Sequence, residues 1–162
     1  MRRELRRRLE LADSFGEVFK VVKSAVQEVL GVRRAGLELI LMDLPDKVGA
    51  LHQVGSNAII MNRRYLEALL KSAKDKLEIN SYIFSILLHE YLHSLGILDE
   101  DEARMLSLRV IRETLGEDHP AYRIAVRGLD KLDSILGQEV GAGEADAELV
   151  KDFDTDNTQY IG

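Results

Sequence analysis

Residues 83–96 read Ile83-Phe84-Ser85-Ile86-Leu87-Leu88-His89-Glu90-Tyr91-Leu92-His93-Ser94-Leu95-Gly96. Apolar side chains nearly surround a helix built from this stretch, which predicts a central, buried helix. Gly96 ends it in the usual left-handed way. His89 and His93 stand four apart inside this apolar segment, so they project from one helix face. Buried rings of that kind need partners, and one divalent metal ion can serve both. Glu90 is one step further round, where its carboxylate can act as general base on a water held there. The chain has only 4 His, and two of them fall in this arrangement.

Upstream, residues 4–30 carry Leu5, Leu9, Phe15, Val18, Val22, Ala25 and Leu30 at near-helical spacing. Gly31 is a stop, and Asp13-Ser14 marks a break or second start. Leu37 to Leu44 predicts a buried strand ended by Pro45. Val48 to Gly55 predicts a poorer strand, Gly55-Ser56-Asn57 a turn, and Ala58 to Met61 a third strand. Asn62 is placed to cap a helix that buries Tyr65, Leu66, Leu69, Leu70, Ala73 and Leu77. Asn80 or Ser81 is placed to cap the His-bearing helix. Downstream, Asp99 to Leu115 predicts a helix stopped by Gly116. Pro120 opens another, running to Leu132 or Leu136. The fold class expected is α+β, with about five helices and a small mixed sheet of three strands or slightly more.

Hydrophobic residues are 46% and charged residues 31% of the 162, a globular profile large enough for one core. With no Cys, disulfides and zinc–thiolate sites are excluded. No signal-type apolar run and no stretch near ~20 apolar residues is seen, so a cytoplasmic protein without membrane contact is expected. The net charge of -6 argues against a general nucleic-acid binder. Charge is uneven: Arg2, Arg3, Arg6, Arg7 and Arg8 crowd the start, while residues 138–162 hold seven acids against Lys151. The plain reading of the Arg run is a solvated helix turn; the sharper one is a contact for an acidic partner.

The order strand, turn, strand, helix, then His89-Glu90-Tyr91-Leu92-His93-Ser94-Leu95-Gly96-Ile97-Leu98-Asp99, resembles the zincin metallopeptidases over roughly residues 37–115. The longer pattern is similar to the metzincin-like HExxHxxGxxD form found in snapalysin and in small bacterial and archaeal zincin-like proteins. The resemblance implies a zincin-like fold with Zn2+ bound by His89, His93 and Asp99, and Glu90 as the catalytic base. It implies that Gly96 turns the chain so that Asp99 returns to the metal. No Met-turn follows, since Met105 is the last methionine. Asp99 also fits a plainer role, because Asp99-Glu100-Asp101-Glu102 opens a helix, where acids cap and favour the dipole. Glu102 and then Glu113 are the rival ligands.

Residues 1–140 are expected to form a single catalytic domain, and residues 141–162 an acidic C-terminal tail without periodicity. Asp152-Phe153-Asp154-Thr155-Asp156 could occupy the cleft and keep an enzyme latent. His52 reads as a surface His, or as one touching substrate. Tyr122, Arg104, Arg109 and Arg112 are the open candidates for transition-state support, and Ser85 leaves room one turn before His89. The expected function is zinc-dependent hydrolysis of peptide or protein substrates. An extended chain would add along an edge strand near Val48–Met61. The alternative is a non-catalytic or latent zinc-binding module that holds peptides or a protein partner.

Overall fold

A computed structural model describes residues 2–45, 48–128 and 147–154. The break at Asp13-Ser14 is real. Helix α1 (Arg2–Leu11) buries Leu5 and Leu9, and α2 (Phe15–Leu30) begins after it. Ser14 Oγ accepts from the Glu17 amide at 3.1 Å, and the Glu17 carboxylate accepts from the Asp13 amide at 2.6 Å. These reciprocal bonds satisfy amides that a new helix start leaves bare. Gly31, at φ 71°, closes α2.

Four short strands follow in space: β1 (Glu38–Met42), β2 (Ala50–His52), β3 (Ala58–Asn62) and β4 (Glu148–Leu149). The order across the sheet is β2-β3-β1-β4. β1 and β3 are parallel, with Leu39 beside Ile59 and Leu41 beside Met61. β2 and β4 run antiparallel to their neighbours at the two edges. Asn62 ties the sheet to α3 (Arg63–Ser72). It is fully buried. Its Oδ1 accepts from the amides of Leu44 and Arg64, and its Nδ2 donates to the carbonyls of Leu44 and Val48. All four bonding positions of the amide are filled, which pins strand ends and helix start together.

Helix α4 (Lys76–Ser94) starts earlier than expected, capped by Asp75 rather than Asn80 or Ser81. Asn80 instead lies inside α4 and donates from Nδ2 to the carbonyls of Leu9 and Ala12, at 2.8 and 2.9 Å. The hydrogen-bonding capacity that suits Asn to a cap here satisfies the end of α1 from outside. α4 packs on α1, α2, α5 (Glu100–Thr114), α6 (Pro120–Arg127) and the sheet, so its all-round apolar surface is used. Six helices are present among the described residues, and the architecture is α+β. Any continuation of α6 towards Leu132 or Leu136 lies outside them. No described helix is long and apolar enough to cross a membrane.

The C-terminal segment differs most from expectation. Residues 148–154 pack into the fold at the β1 edge. The Val150 amide donates to the Leu39 carbonyl at 2.9 Å. Phe153 is buried and stacks on Phe19, with centroids 4.2 Å apart. Lys23 and Asp154 form an ion pair at 2.6 Å with both side chains 1% exposed. The chain passes so close to α2 that a Cβ on Gly16 would stand 2.4 Å from the Asp152 carbonyl oxygen. Asp152 to Asp154 therefore do not occupy the cleft beside His89; they lie at the opposite sheet edge. Thr155 and Asp156 lie outside the described residues, as do residues 141–146.

His119 caps α6, its Nδ1 accepting from the Ala121 amide at 3.0 Å. It is 2% exposed. Burial, and then the Arg6 charge, push its pKa down to about 4. An unfolded chain therefore takes up a proton near pH 6.5 that the native state refuses until about pH 4. Native stability is full above pH 6.5 and falls as the pH drops through that window, by on the order of 3 kcal/mol. His119→Asn keeps a capping side chain, and its unfolding free energy is expected to lose that part of the acid dependence. Denaturant melts at pH 4.5 and 7.5 check this.

Candidate metal centre

His89 and His93 lie on the last two turns of α4. Their rings meet edge to face, with centroids 4.6 Å apart and planes at 88°. Their Nε2 atoms are 3.1 Å apart. Gly96, at φ 99°, reverses the chain directly after the helix. That reversal brings the Ile97 carbonyl within 2.7 Å of His93 Nδ1. It also brings the start of α5 back over the imidazoles.

The residue that arrives there is Glu100. Its Oε2 is 3.0 Å from His89 Nε2 and its Oε1 is 2.8 Å from His93 Nε2. Asp99, one residue earlier, is the N-cap of α5, and its Oδ2 accepts from the Glu102 amide at 3.3 Å. The carboxylate of Asp99 is thus engaged in capping, and the place expected for it beside the two rings is filled by its neighbour. Glu113 pairs with Arg109 at 2.8 Å on the same helix. Glu102 does not line the cavity beside the rings. The sequence offers four consecutive acids, and only the exact start of α5 decides which one faces the imidazoles.

The donor set can be tested against a metal. The Ile97 carbonyl only accepts, so His93 Nδ1 carries the proton, and in the neutral ring Nε2 presents a lone pair. A backbone carbonyl on the remote nitrogen is the usual orienting contact of a metal-ligating His. The Nε2 lone pair of His93 faces His89 Nε2 and a carboxylate oxygen. Tetrahedral zinc, bonded at ~2.0–2.2 Å to nitrogen and oxygen, sets its ligand atoms about 3.3 Å apart. The two Nε2 atoms, 3.1 Å apart, are close to that, and each has one oxygen of the Glu100 carboxylate within 2.8–3.0 Å, Oε2 for His89 and Oε1 for His93. His89, Glu90 and His93 also offer ligand atoms all within 4.8 Å of one another. These residues fit a zinc ion.

Glu90 is 6% exposed, and its Oε2 is buried with no hydrogen-bond partner among the described residues. Burial pushes its carboxyl up to about 7, with His93 pulling it down and Glu100 pushing it further up. Burial likewise lowers the pKa of His89, against the raising influence of Glu100. Both shifts favour the neutral forms, and a neutral imidazole is the form that ligates a metal.

A cavity of about 340 Å3 opens beside this cluster. Its lining combines His89, Glu90, Glu100, Asp101 and Arg104 with Ala50, Ser85, Ile86, Ile124, Ala125 and Gly128. Of the four candidates for transition-state support, only Arg104 lines it. Arg109 pairs with Glu113 and Tyr122 packs on the core. The Arg112 carbonyl accepts from Arg2. Ser85 lines the cavity as expected, its hydroxyl donating to the Ala121 carbonyl. His52 Nε2 lies 2.9 Å from the Ser56 carbonyl. Its Nδ1 is buried and has no partner among the described residues. Tyr91 faces away, accepting from the Arg34 amide at 2.8 Å. No protein-family model, no curated protein and no solved structure matches this chain.

Proposed function

We propose that this chain is a zinc-dependent peptidase with a zincin-like arrangement, in which His89, His93 and Glu100 hold the metal and Glu90 is the general base. One observation carries the reading: two imidazole nitrogens and a carboxylate converge next to the buried Glu90 carboxyl, whose Oε2 has no partner among the described residues, at the wall of a cavity. A purely structural metal site has no use for that last carboxyl.

Bound zinc supplies Lewis acidity, polarising a carbonyl and lowering the pKa of water towards ~7. The rest falls to the chain's own residues. Glu90 takes a proton from the attacking water and passes it to the leaving amide nitrogen. The water oxygen bonds to the carbonyl carbon and the C–N bond breaks, giving a carboxylate and an amine. His93, oriented by the Ile97 carbonyl, and Glu100, carried on α5, fix the geometry. β2 forms one edge of the sheet beside α4, so an extended substrate has main-chain groups to pair with there.

Metal analysis and cleavage of an internally quenched peptide library test the proposal. One zinc per chain is expected, lost in His93→Ala. Glu100→Gln is expected to weaken zinc at least about tenfold, and Asp99→Asn, which still caps α5, to leave affinity unchanged. The reverse pattern for those two carboxylates would overturn the ligand assignment. Zinc binding with peptide binding but no cleavage would leave a non-catalytic module.

A further inference from the structure

We propose that the cavity beside His89 and His93 takes the C-terminal residue of a peptide, with Arg104 gripping its terminal carboxylate. This rests on the hydrolytic reading above and narrows its substrate to chains with a free C-terminus. Arg104 stands one turn beyond Glu100 on α5, so both side chains project from the same helix face. Both line the cavity. Arg104 Nη2 donates to the Val126 carbonyl at 2.7 Å, which anchors the guanidinium against the end of α6. That nitrogen also lies 3.8 Å from the place a Cβ would take on Gly128, so the anchor sits against the chain's close approach there.

A guanidinium carries five N–H donors in a planar fork. The bond to Val126 uses one nitrogen and leaves the fork able to meet a carboxylate, with part of its ordering already done by the anchor. Among the described residues, Arg104 is the only Lys or Arg lining the cavity. Ala50, Ile86, Ile124 and Ala125 contribute apolar wall. Such a wall suits an aliphatic side chain, so the carboxylate is that of the chain terminus and not of an Asp or Glu side chain. At about 340 Å3 the space is at the small end of ligand cavities, which fits one residue better than a continuing strand. Hydrolysis there adds water across the last peptide bond. The shortened peptide gains a carboxylate, and the released amino acid keeps the proton delivered by Glu90. Asp101 lines the same cavity, and its charge opposes an incoming anion.

The test uses zinc-loaded full-length Glu90→Gln protein and an N-acetylated tripeptide ending in Leu, as free acid and as amide, in titration calorimetry. A third arm is an amidated peptide with Glu in place of that Leu. The free acid is expected to bind at least about tenfold tighter than the amide, as a charge-assisted bond requires. Adding Arg104→Met should erase the difference; adding Asp101→Asn should tighten the acid and not the amide. Equal binding of acid and amide, a preference that survives Arg104→Met, or a preference for the amidated Glu peptide would overturn the proposal. Cleavage by the wild-type protein separates the two levels. Equal hydrolysis of acid and amide sinks the C-terminal specificity and leaves the peptidase reading standing. Zinc binding with no hydrolysis of any peptide sinks both.

Discussion

Glu90→Gln is expected to keep the zinc site and lose hydrolysis by about 10²- to 10⁴-fold in kcat, the range a positioned general base contributes. Gln has the shape of Glu, and Glu90 is packed on α4 with 6% exposure, so the replacement has no reason to move His89 or His93. Oε2 has no protein partner among the described residues, so the amide breaks no hydrogen bond at that atom. A buried carboxyl without a partner is also costly, and a neutral amide relieves part of that cost. The melting temperature should therefore hold or rise while activity falls. Steady-state assays on the variant with confirmed zinc content check the first half, and calorimetric melting the second. An active Glu90→Gln protein would remove Glu90 from the reaction altogether.

The second large effect is at Lys23 and Asp154. Each side chain is 1% exposed and they meet at 2.6 Å. Asp154 also accepts from the Leu37 amide at 3.1 Å. Replacing two such charges by apolar groups is often harmless, but removing one of them takes from the other the ion-pair contact made at 2.6 Å. Lys23→Met and Asp154→Asn are each expected to cost about 3–5 kcal/mol. For a chain of this size that lowers the melting temperature by roughly 6–20 °C. The double variant should lose less than the sum, because the second substitution removes a charge whose ion-pair contact is already gone. Asn at 154 still offers an acceptor to the Leu37 amide. Denaturant titration of the three variants measures the coupling, and additive losses would mean that the pair contributes nothing as a pair.

The parts of the fold set by local pattern could be read from the chain. The apolar girth of α4, the Gly96 turn, the Asn62 cap and the Pro120 helix start all follow from side-chain chemistry within one turn. The imidazole pair was legible for the same reason, since a four-residue spacing on a helix fixes both rings on one face. What escaped depended on distance in the sequence. Glu100 and Asp99 are equivalent as composition, and the difference between them is which one the helix start consumes as its cap. Asn80 looks like a cap for its own helix, yet its partners are about seventy residues upstream. The segment around Phe153 has two strand residues and one aromatic, too little periodicity to show in sequence. Its ordering comes from Lys23, Phe19 and the β1 edge.

The seating of β4 against β1 has a consequence for self-association. At one flank the outermost strand is the chain's own two-residue β4, paired with Ile40 and Leu41 of β1 and exposed on its outer side. The other flank, at β2, remains available to one guest strand. An outer strand of only two residues offers a foreign strand few backbone groups, so strand addition at β2 is favoured over addition at β4. The shortness of β4 thereby disfavours ribbon-like polymerisation through both flanks of this sheet.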